Sequence, residues 1–223
     1  MSQTERRGKV LVAATGKGGA GKSTLVACLG TFWHQRKKAV ALVDADPNRT
    51  LSRWHSKGDG LAKISMTVQL DEHEMIPTIT SLAREHDVVL VDCAGFGNQA
   101  MIFAIGAADL VLIPAMTDEA SLFEAMKTRR IVDSASQLTN RTIEARSVLC
   151  RVKRSAVAQH AHTQLAALNC NPLDIQMADR VSHQEASFHG SSPYLMAPSS
   201  PAAKDVEKLA REVERVLWPT SRA

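Results

Sequence analysis

Gly16-Lys17-Gly18-Gly19-Ala20-Gly21-Lys22-Ser23-Thr24 follows the apolar run Val10–Ala14 and leads into an apolar, helix-compatible stretch. It meets the pattern GxxxxGK[ST] in the strand–loop–helix setting that gives the pattern its physics. The glycines let backbone N–H groups curl round phosphates, a lysine reaches the β/γ oxygens, and a hydroxyl holds Mg²⁺. Lys22 and Ser23 take those two roles, and Gly18, Gly19, Ala20, Gly21 and Thr24 complete the cradle. The stretch therefore predicts a site for a nucleoside triphosphate with Mg²⁺. Lys17 is additional: one loop needs one lysine for its own phosphates, and an ammonium is costly to desolvate unless an anion awaits it.

Outward from the loop, apolar runs of strand length recur between segments of helical period. The runs are Val10–Ala14, Ala39–Val43, Ser65–Gln69, Val88–Val91, Leu110–Ile113 and Arg146–Val152. The helical segments are Lys22–Arg36, Met75–Arg84, Ser121–Ser136, Ala156–Leu168 and a closing helix over Ala202–Leu217. This alternation predicts an α/β fold, a mostly parallel twisted sheet with helices on both faces. Such sheets bind ligands beyond the carboxyl ends of their strands, where the phosphate loop falls. Ser182–Ala203, rich in serine with Gly190, Pro193, Pro198 and Pro201, reads as a loop-rich excursion before the closing helix.

The 223 residues, 44% of them hydrophobic, suffice for one domain over 1–223, with 1–8 and 219–223 as flexible tails. No run approaches a membrane span and the start lacks a secretory apolar region, so the sequence predicts a cytoplasmic protein. The four cysteines, Cys28, Cys93, Cys150 and Cys170, are widely and irregularly spaced, which disfavours zinc and disulfides. A formal charge of +4 suits weak affinity for nucleic acid without establishing it.

Val43-Asp44-Ala45-Asp46-Pro47-Asn48 places two carboxylates two residues apart where the second strand leaves the sheet. The position suits metal and water handling, and a capping-and-turn cluster is the plain alternative. Val88–Val91 ends in Asp92, an apolar strand delivering a carboxylate toward Mg²⁺. Gly95 and Gly97 follow, in a segment suited to respond to a γ-phosphate. Asp87 reads as a turn residue, Pro114 as structural, and Thr117 and Asp118 as caps for the next helix.

Lys17–Ser23 resembles, residue for residue, the KGGxGK[ST] loop of the ParA/MinD family, phosphate-loop NTPases of the deviant Walker A type. Asp44-Ala45-Asp46-Pro47 matches the family's DxDP, and Asp92 to Gly95 its D-x-x-G. The resemblance implies ATP and Mg²⁺ as cofactors, slow ATP hydrolysis and a homodimer that sandwiches ATP. By it Lys17 crosses to the partner's nucleotide, Lys22 and Asp46 complete the catalytic set, Ser23, Asp44 and Asp92 serve the metal, and Arg151 packs on adenine. Asp46 would orient the attacking water.

Within the family the last helix discriminates. Its polar face balances Lys204, Lys208, Arg211 and Arg215 against Asp205, Glu207, Glu212 and Glu214, which argues against a MinD-like membrane tether, with Trp218 the feature on the other side. ParA-type proteins bind DNA nonspecifically as the ATP dimer, and Arg151, Lys153, Arg154, Arg180, Lys204 and Arg211 are the candidate contacts. A solvated basic edge is the plain alternative. The loop's early position suggests a short ParA-type chain without an operator-reading extension, and Asp44–Trp54 also looks VirC-like. The implied function is DNA partition on the nucleoid, with a ParB-like or other adaptor stimulating hydrolysis. Positioning of a carboxysome or chemotaxis cluster, a VirC-like role in conjugative transfer, a MinD-like positioner and a metabolic kinase are the alternatives.

Overall fold

The computed structural model describes residues 7–58, 60–95, 99–153 and 155–219. Its centre is a six-stranded parallel sheet in the order β3-β2-β4-β1-β5-β6. The strands are β1 (Lys9–Ala13), β2 (Val40–Ala45), β3 (Ser65–Val68), β4 (Val88–Cys93), β5 (Leu110–Ala115) and β6 (Glu144–Leu149). All six predicted runs are strands, and β6 begins two residues earlier than its apolar run.

Pleating sorts each strand between two cores. Val10, Val12, Val89, Val91, Val111 and Ile113 point to one face. There they meet α3 (Glu72–Glu85), α4 (Gln99–Ala107), α5 (Glu119–Thr139) and α6 (Ser155–Ala167). Leu11, Leu42, Leu90, Leu110 and Leu112 point the other way, onto α1 (Lys22–Gln35) and α9 (Pro201–Leu217). Burial on both faces explains why the central strands read as unbroken apolar runs.

Four helices escaped the sequence reading. α2 (Thr50–His55) is one and a half turns long, and α4 is apolar nearly all round, so neither offers a period. The expected loop over Ser182–Ala203 is corrected: it contains α7 (Val181–Phe188) and α8 (Pro193–Met196). Pro193 and Pro201 each stand in the first turn of a helix, where the missing N–H costs nothing, so they start helices here. Tertiary contacts fix α8, with Tyr194 edge-on to Phe32 at 4.9 Å and Ser192 accepting from Thr31 at 2.7 Å.

Of the ends expected to be flexible, Arg7 pairs with Asp109 at 2.6 Å and the Gly8 N–H donates to the Ala83 carbonyl at 2.7 Å. Residues 1–6 and 220–223 lie outside the described residues. Asp87 ties two strand entries together, accepting from the Ala39 N–H at 2.8 Å. No helix among the described residues is long and apolar enough to cross a membrane.

Candidate nucleotide site

Register builds the site. Asp92 pairs with Ala13 of β1 on one side and with Asp44 of β2 on the other. Parallel neighbours at one level present their side chains on the same face, about 4.8 Å apart. Two carboxylates thus stand together beneath the loop that leaves β1. That loop ends at Gly21, whose φ of 108° only glycine adopts readily, and α1 begins at Lys22 without a side-chain cap. The open helix terminus leaves N–H groups and a positive dipole end for an anion.

Lys22 is buried and its Nζ donates to the Thr15 and Lys17 carbonyls, each at 3.4 Å. These long bonds hold the ammonium over the cradle. Gly95 approaches the loop from β4, where an added Cβ would come within 3.2 Å of the Gly16 carbonyl oxygen. Phe96, Gly97 and Asn98, included in the expected mobile segment, lie outside the described residues.

The carboxylates divide the work. Asp44 is fully buried and accepts from the Asp46 N–H at 3.1 Å, the Ser52 N–H at 2.8 Å and the Ser52 hydroxyl at 2.6 Å. It fastens the Asp46 turn and α2 to the end of β2, so the geometry gives this expected metal residue a positioning task. Asp46 lines the cleft and accepts from the Asn48 N–H at 2.8 Å, closing an Asx turn.

Both Asp92 oxygens are buried with no hydrogen-bond partner among the described residues. Burial raises this carboxyl to about 7. The nearby Ser23 hydroxyl, short of hydrogen-bond geometry, and Lys22 pull it down, while Asp44 and Asp46 push it up. An orphaned buried carboxylate beside a serine hydroxyl fits a hard cation. No cluster of three or more His, Cys, Asp or Glu among the described residues forms a metal cage.

The loop floors a cleft of about 680 Å³. One wall comes from Asn48, Thr50, Arg53 and Trp54 around α2, the other from Arg151, Met177, Asp179, Arg180 and His183. Chain pairing beyond β6 positions the second wall: Met177 N–H donates to Leu149 at 2.8 Å and Asp179 N–H to Val152 at 3.0 Å. Arg151 has φ 55°, a left-handed conformation that a side chain resists. Its guanidinium donates to the Gly19 carbonyl at 3.3 Å, so it belongs to the cleft. Arg53, Trp54, Met177 and His183 were not singled out from sequence. Arg53 and Trp54 lie at the end of the VirC-like stretch without a role of their own there, and Met177 and His183 come from distant segments that carry no motif. The thiols of Cys28 and Cys150 are pushed up to about 12, chiefly by burial, so both are inert.

Lys17 does not turn to solvent: its Nζ lies 2.6 Å from Asp118 Oδ1 of its own chain. Several of the candidate DNA contacts among the described residues are held by partners in their own chain. Arg151 faces the loop, Lys153 lies 3.5 Å from Asp179, and Arg180 is bound to Asp205 at 2.9 Å. Arg154 lies outside the described residues. Lys204 and Arg211 stand with Lys208 and Arg215 along the exposed ridge of α9. Of the acids of that helix, Glu212 accepts from the Asp174 N–H at 2.7 Å and Glu214 from the Trp33 indole at 3.0 Å, while Arg211 is paired along the helix with Glu207 at 3.6 Å and Glu214 at 3.4 Å. Trp218 packs edge-on to Trp33 at 5.5 Å instead of projecting.

A two-lysine phosphate loop on this sheet defines the class, and known proteins agree. The family model described as VirC1 protein matches residues 9–190. Protein ParA of Rhizobium radiobacter is 31% identical over 71% of this chain and 71% of its own. Maintenance of carboxysome distribution protein A of Halothiobacillus neapolitanus is 28% identical over 91% of this chain and 95% of its own. The septum site-determining protein MinD of Pyrococcus horikoshii, solved with Mg-ADP, superposes with a TM-score of 0.75 at 19% identity, covering 96% of this chain and 99% of that one. The chain belongs to the VirC1 family of ParA/MinD-type ATPases.

Proposed function

We propose that this chain hydrolyses ATP slowly, dimerises when ATP is bound, and in that state holds DNA without regard to sequence until a partner protein stimulates hydrolysis. The observation that carries the reading is the pair of lysines on one phosphate loop, set above an orphaned buried Asp92 at the end of β4. Ser23 and Asp92 would hold Mg²⁺, which when bound neutralises charge on the β/γ oxygens. Lys22 binds those oxygens at the open end of α1, Asp44 holds the Asp46 turn in place, and Asp46 orients the attacking water. Phosphoryl transfer needs positioning and neutralised charge more than covalent help, so these parts suffice.

The DNA surface in this reading is the α9 ridge of Lys204, Lys208, Arg211 and Arg215, a revision of the sequence-based set. Two ridges brought together in a dimer bind far better than one, since the second engagement is intramolecular. Fluorescence anisotropy on a random duplex tests the proposal: binding with ATP, little with ADP, and a steep fall with salt. Equal binding in both nucleotides would refute it. A second reading keeps the ATP switch but moves a protein assembly, supported by the relative whose name refers to carboxysome distribution.

A further inference from the structure

Lys17 stands where a reach into a neighbouring subunit is expected, yet its ammonium is bound at home. Its Nζ lies 2.6 Å from Oδ1 of Asp118. That carboxylate is itself anchored as the N-cap of α5, with Oδ1 accepting from the Ser121 N–H at 3.1 Å and Oδ2 from the Ser121 hydroxyl at 2.8 Å. The anchor thus belongs to a 21-residue helix, and the lysine belongs to a glycine-rich loop.

We propose that Asp118 is a resting latch for Lys17, an ion pair within one chain that must open before Lys17 can engage a triphosphate across a subunit boundary. Asp118 thereby sets the ATP concentration at which two copies assemble. The inference rests on the dimerising reading above.

Three features suit a latch. The pair is weak enough to open, because the side chains are 28% and 48% exposed and water screens them. Opening does not undo α5, because Asp118 keeps its bonds to Ser121 and its favourable place at the helix N-terminus. Asp118 also stays ionised: burial pushes its carboxyl up, but the bonds from Lys17 and Ser121 outweigh that and hold it at about 2. The exchange substitutes one anion for another, and a triphosphate offers more charge than a carboxylate.

Asp118→Asn is the discriminating variant, since asparagine caps a helix as well as aspartate but carries no charge. Two readouts apply. Acetylation of Lys17 in nucleotide-free protein, followed by peptide mass spectrometry against exposed Lys63 as reference, should accelerate about 2- to 5-fold, the range an exposed ion pair supports. The ATP midpoint of dimerisation by light scattering should fall. If wild type dimerises with ATP while the variant matches it in both readouts, the latch is overturned and the dimer stands. If wild type stays monomeric in ATP, both ideas fall, even with faster acetylation in the variant.

Discussion

Lys22 is the residue on which nucleotide binding turns, because it is buried against the loop and brings the charge that the phosphates meet. Hydrogen bonds to charged groups contribute about 1.5–3 kcal/mol each. Lys22→Ala should therefore weaken binding of a fluorescent ATP analogue by roughly 10- to 100-fold or more, measured by titration, with the fold intact by circular dichroism. Asp118 gives a second residue-level expectation. Its folded carboxyl lies near 2, below its ordinary value of 3.8, so the stabilisation it brings is fully present above the ordinary value and is lost progressively as pH falls from there through about 2. Carbon-detected NMR should find that midpoint near 2 in the wild type and higher in Lys17→Ala, the upward move being the mark of the lost ammonium while the bonds from Ser121 remain.

At the scale of elements, α9 shows how a balanced composition becomes a polarised surface. Four bases and four acids cancel in a count, but Lys204, Lys208 and Arg215 stand exposed, while Asp205, Glu212 and Glu214 reach Arg180, the chain at Asp174 and α1, and Arg211 pairs with Glu207 and Glu214. Replacing Lys204 and Lys208 together by Glu should abolish DNA binding in ATP. Milder replacement of one lysine by Gln should lower the log–log salt slope by about 1, read by anisotropy at several ionic strengths. The inner face of the same helix is structural. Leu209 is fully buried between α9 and the sheet, and Leu209→Ala should cost about 2–5 kcal/mol by urea unfolding through lost contacts and a cavity.

At the scale of the whole molecule, the ATP switch predicts three distinct outcomes in size-exclusion chromatography with Mg·ATP. Wild type should shift reversibly to a dimer, Lys17→Ala should bind ATP but remain monomeric, and Asp46→Ala should stay trapped as a dimer because the attacking water is no longer held. A monomeric Asp46→Ala protein would refute the switch. The latch at Asp118 and the ridge on α9 would then operate in sequence, first assembly and then attachment.

Local chemistry in the sequence determined the phosphate loop, the six strands and the carboxylates that end β2 and β4. Glycine spacing, apolar runs and strand-end acids each act within a few residues, so they are legible one segment at a time. Tertiary structure decided the rest. It converted Ser182–Ala203 from loop to α7 and α8, because α8 exists through contacts with α1 and α9, and α7 through contacts with α8 and α1, rather than through a period of their own. It drew Arg151 over Gly19, took the Asp44 oxygens for Ser52 and left those of Asp92 unsatisfied, and sent Lys17 to Asp118. A side chain's partner depends on which distant segment the sheet order brings alongside it, and that information is carried by no single stretch of residues.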